Sequence, residues 1–110
     1  MNNWTKWIPF PKPEEIRQIE APKDFGVYQL RNTRTNEYVL FGIGGNLNER
    51  MKSLMPKPYG IGTRNNTEKR EYVLANHKDI KYRITSTQNR EEAKRIEENL
   101  KAQNNHIFNT

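Results

Sequence analysis

GVYQLRN at residues 26–32 and FGIGG at 41–45 form the stretch that decides the fold of this chain. Short runs of apolar residues bounded by glycine and polar residues are typical of strands. We therefore predict one strand over about 26–31 and a second over about 37–42. The residues RTN at 34–36 predict the turn between them, so the two strands form a hairpin.

The segment NLNER at 46–50 predicts a helix directly after the hairpin. Asn46 and Glu49 have the spacing of a capping box, in which the first residue caps the helix and the fourth reaches back. Pro56 closes the helix near Met55, because proline cannot continue a helix. Its apolar stripe consists of Leu47, Met51 and Leu54.

Downstream of a loop at 56–64, the same signals predict three more elements. A capping pair at Asn65 and Glu68 predicts a second helix to about Asn76, and the alternating IKYRIT at 80–85 predicts a half-buried strand. A third helix follows with the capping pair Asn89 and Glu92, and runs to about Gln103. The resulting β-β-α-α-β-α order predicts an α/β domain around a three-stranded sheet flanked by helices.

Residues 1–25 read as an N-terminal arm packed on a domain that spans 26–110. Its prolines argue against regular structure near the start, and Pro13 fits the first turn of a short helix. Trp4 and Trp7 are expected to pack the arm onto the domain. The alternative is that these tryptophans bind a protein partner.

Composition limits the function classes. The chain has 110 residues, 33% of them hydrophobic, and a mean hydropathy of −1.11, which indicates one domain with a small core. It has no apolar run long enough to span a membrane and no cysteine, which excludes disulfides and thiolate chemistry. These features are consistent with a cytoplasmic protein. The net charge of +6 favours an anionic partner, foremost nucleic acid, although it also fits ordinary solubilising charge.

Several of these motifs, in this order, resemble the GIY-YIG nuclease family. The first triplet contributes Tyr28, the first helix contributes Arg50 in an N-L-x-x-R pattern, and EEAKRIEENL resembles the closing helix of the family. The resemblance covers about 26–110. It implies cleavage of DNA phosphodiesters by one carboxylate-bound Mg²⁺ or Mn²⁺, a tyrosine and an arginine. It also implies that Asn109, near the end of the chain, holds the active site together.

The second triplet differs from the family pattern. Leu40 occupies the place of the second tyrosine and has no group that donates a hydrogen bond. Because strands alternate faces, Tyr38 is expected on the same side as Leu40, where it replaces the missing hydroxyl, or else the turn adopts a different register. The histidine that many relatives carry on the first helix is replaced by Leu54.

Two acids flank the predicted buried stripe of the last helix, which is formed by Ala93, Ile96 and Leu100. Periodicity does not choose between Glu92 and Glu97. Glu92 has a structural explanation as the partner of Asn89 in the capping box. The resemblance assigns the metal to Glu97.

A set of basic residues on the first helix, the loop and the second helix is expected to contact DNA phosphates, with a solvated surface as the alternative. Its members are Lys52, Lys57, Arg64, Lys69 and Arg70. Lys69 or Arg70 is also a candidate for the role of the missing histidine. His77 and His106 are isolated and read as surface or capping residues.

The sequence therefore predicts a single-domain, metal-dependent endonuclease that acts on single- or double-stranded DNA. Its expected catalytic residues are Tyr28, Arg50, Glu97, Tyr38 and Asn109. The competing hypothesis is a catalytically degenerate domain that binds DNA or protein without cutting. The altered second triplet and the missing histidine favour this alternative. The joint presence of Tyr28, Arg50, Glu97 and Asn109 opposes it.

Overall fold

The computed structural model describes residues 3–60 and 67–109. Two 3₁₀ helices, at Pro13–Gln18 and His77–Asp79, accompany the regular elements. The strands are β1 (Ile8–Pro9), β2 (Gly26–Asn32), β3 (Glu37–Gly44) and β4 (Ile80–Ser86), and the helices are α1 (Leu47–Lys52), α2 (Thr67–Asn76) and α3 (Arg90–Gln103).

Within the described residues the sheet is antiparallel and has four strands in the order β1-β4-β2-β3. The prediction of three strands was therefore wrong, because the N-terminal arm adds β1. Ile8 pairs with Tyr82 of β4, and Phe10 donates a backbone hydrogen bond to Ile80. Pro9 is tolerated because β1 is an edge strand, where a missing N–H costs no ladder bond.

The helix caps follow the sequence. Asn46 accepts a hydrogen bond from the backbone N–H of Glu49, and Asn89 accepts one from Glu92, which confirms the starts of α1 and α3. The predicted extension of α1 to Met55 was wrong: the helix ends at Lys52, although Leu54 and Met55 remain buried in the turn that follows. The predicted cap Asn65 lies outside the described residues, and α2 is described from Thr67.

The sheet separates two packed layers. On one face, Val27 and Phe41 pack against the stripe of α3, which consists of Ala93, Ile96 and Leu100 as predicted. On the other face, α1, α2 and the first 3₁₀ helix cover a larger cluster that includes Tyr28, Leu40 and Met51. As a result α1 and α3, which lie on opposite faces of the sheet, meet at the same end of β3.

A β-bulge in β3 changes the direction of Tyr38. Leu30 pairs with Leu40, but the next residue, Arg31, pairs with Tyr38, so Val39 is the extra residue. An extra residue breaks the strict alternation of a strand. The expectation that Tyr38 shares a face with Leu40 was therefore wrong: Tyr38 shares a face with Arg31.

On that face a polar network connects the strands to the C-terminal segment. Arg83 Nε donates to Gln29 Oε1 at 2.7 Å, which leaves the Gln29 amide to donate to His106 Nε2 at 3.0 Å. His106 Nε2 must then be the unprotonated acceptor. The indoles of Trp4 and Trp7 lie 4.4 and 4.7 Å from the Arg83 guanidinium, so the tryptophan arm covers this network.

His106 is 8% exposed, which corrects its assignment as a surface or capping residue. Its ring stacks on Tyr38 and meets the edge of Phe41. Burial, and secondarily the charge of Arg83, lower the pKa of His106 to about 4. The sequence carried no signal for this burial, because His106 is fixed by contacts to strands far away in the chain.

The buried neutral histidine predicts a pH-dependent stability. Between about pH 6.5 and 4 the unfolded chain binds a proton at His106 that the folded chain does not, so stability falls with falling pH. We expect a loss of about 3 kcal/mol across this window. Urea unfolding at several pH values measures it. His106→Gln should flatten the dependence and His77→Gln should leave it intact; identical profiles for wild type and His106→Gln would contradict the assignment.

Candidate functional site

A groove of about 510 Å³ lies at the C-terminal end of β3, where α1 and α3 converge from opposite faces of the sheet. Its walls therefore combine residues that are distant in the sequence. The lining residues are Ile43, Gly44, Gly45, Asn46, Glu49, Arg50, Ser53, Arg90, Lys94 and Glu97.

Arg50 packs closely against the sheet because Gly44, beneath it, has no side chain. The Cβ of Arg50 lies where a side chain on Gly44 would project, and a Cβ added to Gly44 would stand only 3.0 Å from it. Arg50 Nε donates to the carbonyl oxygen of Ile43 at 3.2 Å, which fixes the plane of the guanidinium. Within the described part of the chain the two Nη groups make no hydrogen bond, so they remain available in the groove.

Glu97, on α3, lines the same groove as Arg50. It is half-buried beside the apolar stripe, and its carboxylate forms no hydrogen bond or ion pair with any described residue. Glu92, the other acid that flanks the stripe, points elsewhere and accepts a hydrogen bond from the backbone N–H of Gln88 at 3.4 Å. The structure therefore distinguishes the two acids that periodicity left equivalent, and brings Glu97 to the groove.

Tyr28 lies next to the groove in the sheet and is 2% exposed. Its ring crosses over Gly42 on β3, where an added Cβ would be 2.6 Å from Tyr28 Cζ. Gly42 and Gly44 thus accommodate Tyr28 and Arg50 on the same face, about 7 Å apart along the strand. Tyr28 is not among the lining residues, so it stands behind the groove wall.

Lys69 extends the site to α2. Burial lowers the pKa of Lys69, the positive charge of Arg50 lowers it further, and the negative charge of Glu97 opposes both. These electrostatic interactions require Lys69 to lie near both groove residues. Of the described basic residues expected to contact DNA, Lys69 is therefore the one that the structure connects to Arg50 and Glu97.

The remaining candidates are distributed around this site. Lys52 pairs with Glu49 at 3.4 Å, Lys57 is exposed in the turn after α1, and Arg70 is half-buried on α2. Arg64 lies outside the described residues. Asn109 donates to the carbonyl oxygen of Lys101 at 2.9 Å and so ties the C-terminal segment to the end of α3.

Tyr38 is not brought to the groove. Its ring packs against Trp7 and His106, near the start of β3. Gly44, at the groove, is six residues further along the strand, which corresponds to about 20 Å. The bulge at Val39 also turns the side chain to the face opposite Tyr28 and Arg50.

Sequence reasoning missed two cations in the groove, Arg90 and Lys94 of α3. The available signal was their spacing: with Glu97 they occupy positions i, i+4 and i+7, which share one side of a helix. It also missed Glu49. The side chain of Glu49 lines the groove, while its backbone N–H donates a hydrogen bond to the capping oxygen of Asn46.

Within residues 3–60 and 67–109 no group of three or more His, Cys, Asp or Glu side chains converges. Every helix in these ranges is too short or too polar to span a lipid bilayer.

Compared with protein-family models, curated proteins and solved structures, the chain shows no significant match.

Proposed function

We propose that this protein is a metal-dependent endonuclease that hydrolyses DNA phosphodiester bonds in the groove between α1 and α3. One observation carries the proposal: Arg50 and Glu97, which are distant in sequence and on opposite faces of the sheet, converge on one groove. In both side chains the chemically active groups lack a partner in the described part of the chain. Guanidinium Nη groups and a carboxylate that line one groove without a partner among the described residues suit a phosphate and its metal ion.

Glu97 fits Mg²⁺ or Mn²⁺ by its chemistry. Both are hard cations that prefer oxygen ligands, and Mg²⁺ is commonly bound by one or two carboxylates together with substrate phosphates. Glu97 would be the principal ligand, and Glu49 is the second carboxylate in the groove. When bound, such an ion neutralises charge on the phosphate during hydrolysis.

Arg50 would bind the non-bridging oxygens of the scissile phosphate. A guanidinium presents two parallel N–H donors, which match two phosphate oxygens. Because Nε is already fixed on Ile43, the Nη groups are oriented before the substrate arrives. Preorganised donors of this kind stabilise the charge that develops in the transition state.

Tyr28 and Lys69 would complete the site from the sheet and from α2. Tyr28 does not line the groove, so its hydroxyl, which lies over Gly42 on the same face as Arg50, would act from behind the groove wall, where it would orient or deprotonate the attacking water. Lys69 would add positive charge near the phosphate. Asn109 would act as a positioning residue, because it holds the C-terminal segment to α3.

The direct test is digestion of plasmid and single-stranded DNA by the purified protein with Mg²⁺ or Mn²⁺, against the same reaction in EDTA. We expect nicking or cleavage only with the metal. Binding of DNA without cleavage under every metal condition would instead support the second candidate, a binding module. That candidate is favoured by Leu40 in place of the second tyrosine and by the distance of Tyr38 from the groove.

The two tyrosines should respond differently. Tyr28→Phe should lower the cleavage rate about 10²-fold, because loss of a group that assists proton transfer has an effect of this size. Tyr38→Phe should leave the rate within about twofold of wild type, because its hydroxyl lies near the other end of β3. Single-turnover cleavage measures both rates, with thermal unfolding to verify folding. Equal losses in the two variants would contradict this geometry.

A further inference from the structure

We infer that the groove-facing side of α3 is a phosphate track: the DNA strand continues from the cleavage point along α3, and Lys94 and Arg90 bind its phosphates on one side of the cut. This inference rests on the proposed nuclease function and adds the path of the substrate. It also differs from the sequence-based expectation, which placed the DNA contacts on α1, the following loop and α2.

The geometry of α3 aligns the three side chains. A helix turns about 100° per residue, so Arg90, Lys94 and Glu97 fall within a sector of about 60°. The buried stripe of the helix lies on the sector next to Glu97; all three side chains line the groove, with Glu97 half-buried and Arg90 and Lys94 exposed. Arg95, an exposed arginine of the same helix, faces the opposite direction.

The two positive charges of this row, on Arg90 and Lys94, have no ion-pair partner among the described residues, although acids precede and follow them on the helix. By contrast, Lys52 of α1 is paired with Glu49 at the opposite wall. Cations that line a groove without a carboxylate partner attract a polyanion and release its counterions when it binds.

The length of the row sets the length of strand that it contacts. Arg90 is seven residues before Glu97, which corresponds to about 10 Å along the helix. Successive phosphates of one DNA strand rise about 3.4 Å along the duplex axis, so the row spans about three nucleotides of a duplex whose axis lies along α3. A duplex substrate should therefore need about three nucleotides on the side of the cut that runs along α3.

Salt-dependent binding tests the track without cleavage. We propose fluorescence anisotropy with a labelled oligonucleotide in EDTA, at several salt concentrations, for wild type, Arg90→Gln, Lys94→Gln and the matched control Arg95→Gln. Each groove variant should reduce the log–log salt slope by about one and weaken binding about five- to tenfold at 0.1 M salt. Arg95→Gln should retain the wild-type slope.

Shortened substrates locate the contacts on the strand. Removing the third nucleotide from one side of the cut should weaken binding to wild type and have much less effect on Arg90→Gln, because the lost phosphate and the lost arginine are partners. If Arg90→Gln and Lys94→Gln bind like wild type while wild type cuts DNA, the track is wrong and the nuclease proposal stands. An equal loss in Arg95→Gln would also overturn the track. If wild type neither binds nor cuts DNA, the proposed function itself fails.

Discussion

Glu97→Gln should abolish metal-dependent cleavage, with a loss of about 10³-fold or more. The substitution keeps the size of the side chain and removes the negative charge that would hold the metal, and the loss of metal-derived charge stabilisation costs several kcal/mol in the barrier. Folding should survive, because Glu97 is only half-buried and forms no hydrogen bond or ion pair with a described residue. A surface change of this kind alters stability by about 0.5 kcal/mol, or a Tm shift within about 4 °C.

Glu92→Gln is the matched control. Glu92 is on the same helix, flanks the same buried stripe and is also half-buried, but it faces Gln88 rather than the groove. We expect it to cut at the wild-type rate. The measurement is single-turnover cleavage with a titration of Mg²⁺, since a weakened metal site shows as a requirement for more metal. A Glu97→Gln protein that cuts like wild type would mean that the metal is held elsewhere.

Arg50→Ala should lower the cleavage rate about 10²- to 10³-fold while DNA affinity falls much less. The reason is that a preorganised donor acts mainly on the charge of the transition state, and removal of one such donor has effects of this size. Arg50→Lys should recover little, because lysine lacks the paired donors and the Nε contact to Ile43 that fixes the group. Comparison of single-turnover rates with anisotropy binding separates the two effects.

Arg95→Ala provides the control for net charge. It removes one positive charge from an exposed position that does not line the groove, so both rate and affinity should stay near wild type. If Arg50→Ala reduces binding and rate by the same factor, Arg50 is a phosphate anchor without a special role in the transition state.

Much of what was predicted from the sequence depends on interactions between residues that are close together in the chain. The caps at Asn46 and Asn89 depend on a side chain and an N–H three residues apart, and the buried stripe of α3 depends on helical periodicity. Such local interactions are visible in the sequence because their geometry repeats in every helix. The resemblance then selected Arg50 and Glu97, and the structure brings both to one groove.

Tertiary structure decided what local patterns leave open. The bulge at Val39 turns Tyr38 to the opposite face, the arm adds a fourth strand to the described sheet, and His106 is buried beside Gln29. Each outcome depends on how one element pairs with another, which the periodicity within an element does not specify. The same holds for the groove. Helical spacing already aligns Arg90 and Lys94 with Glu97, but only the packing of α3 against the sheet, opposite α1, brings that row into one groove with Arg50.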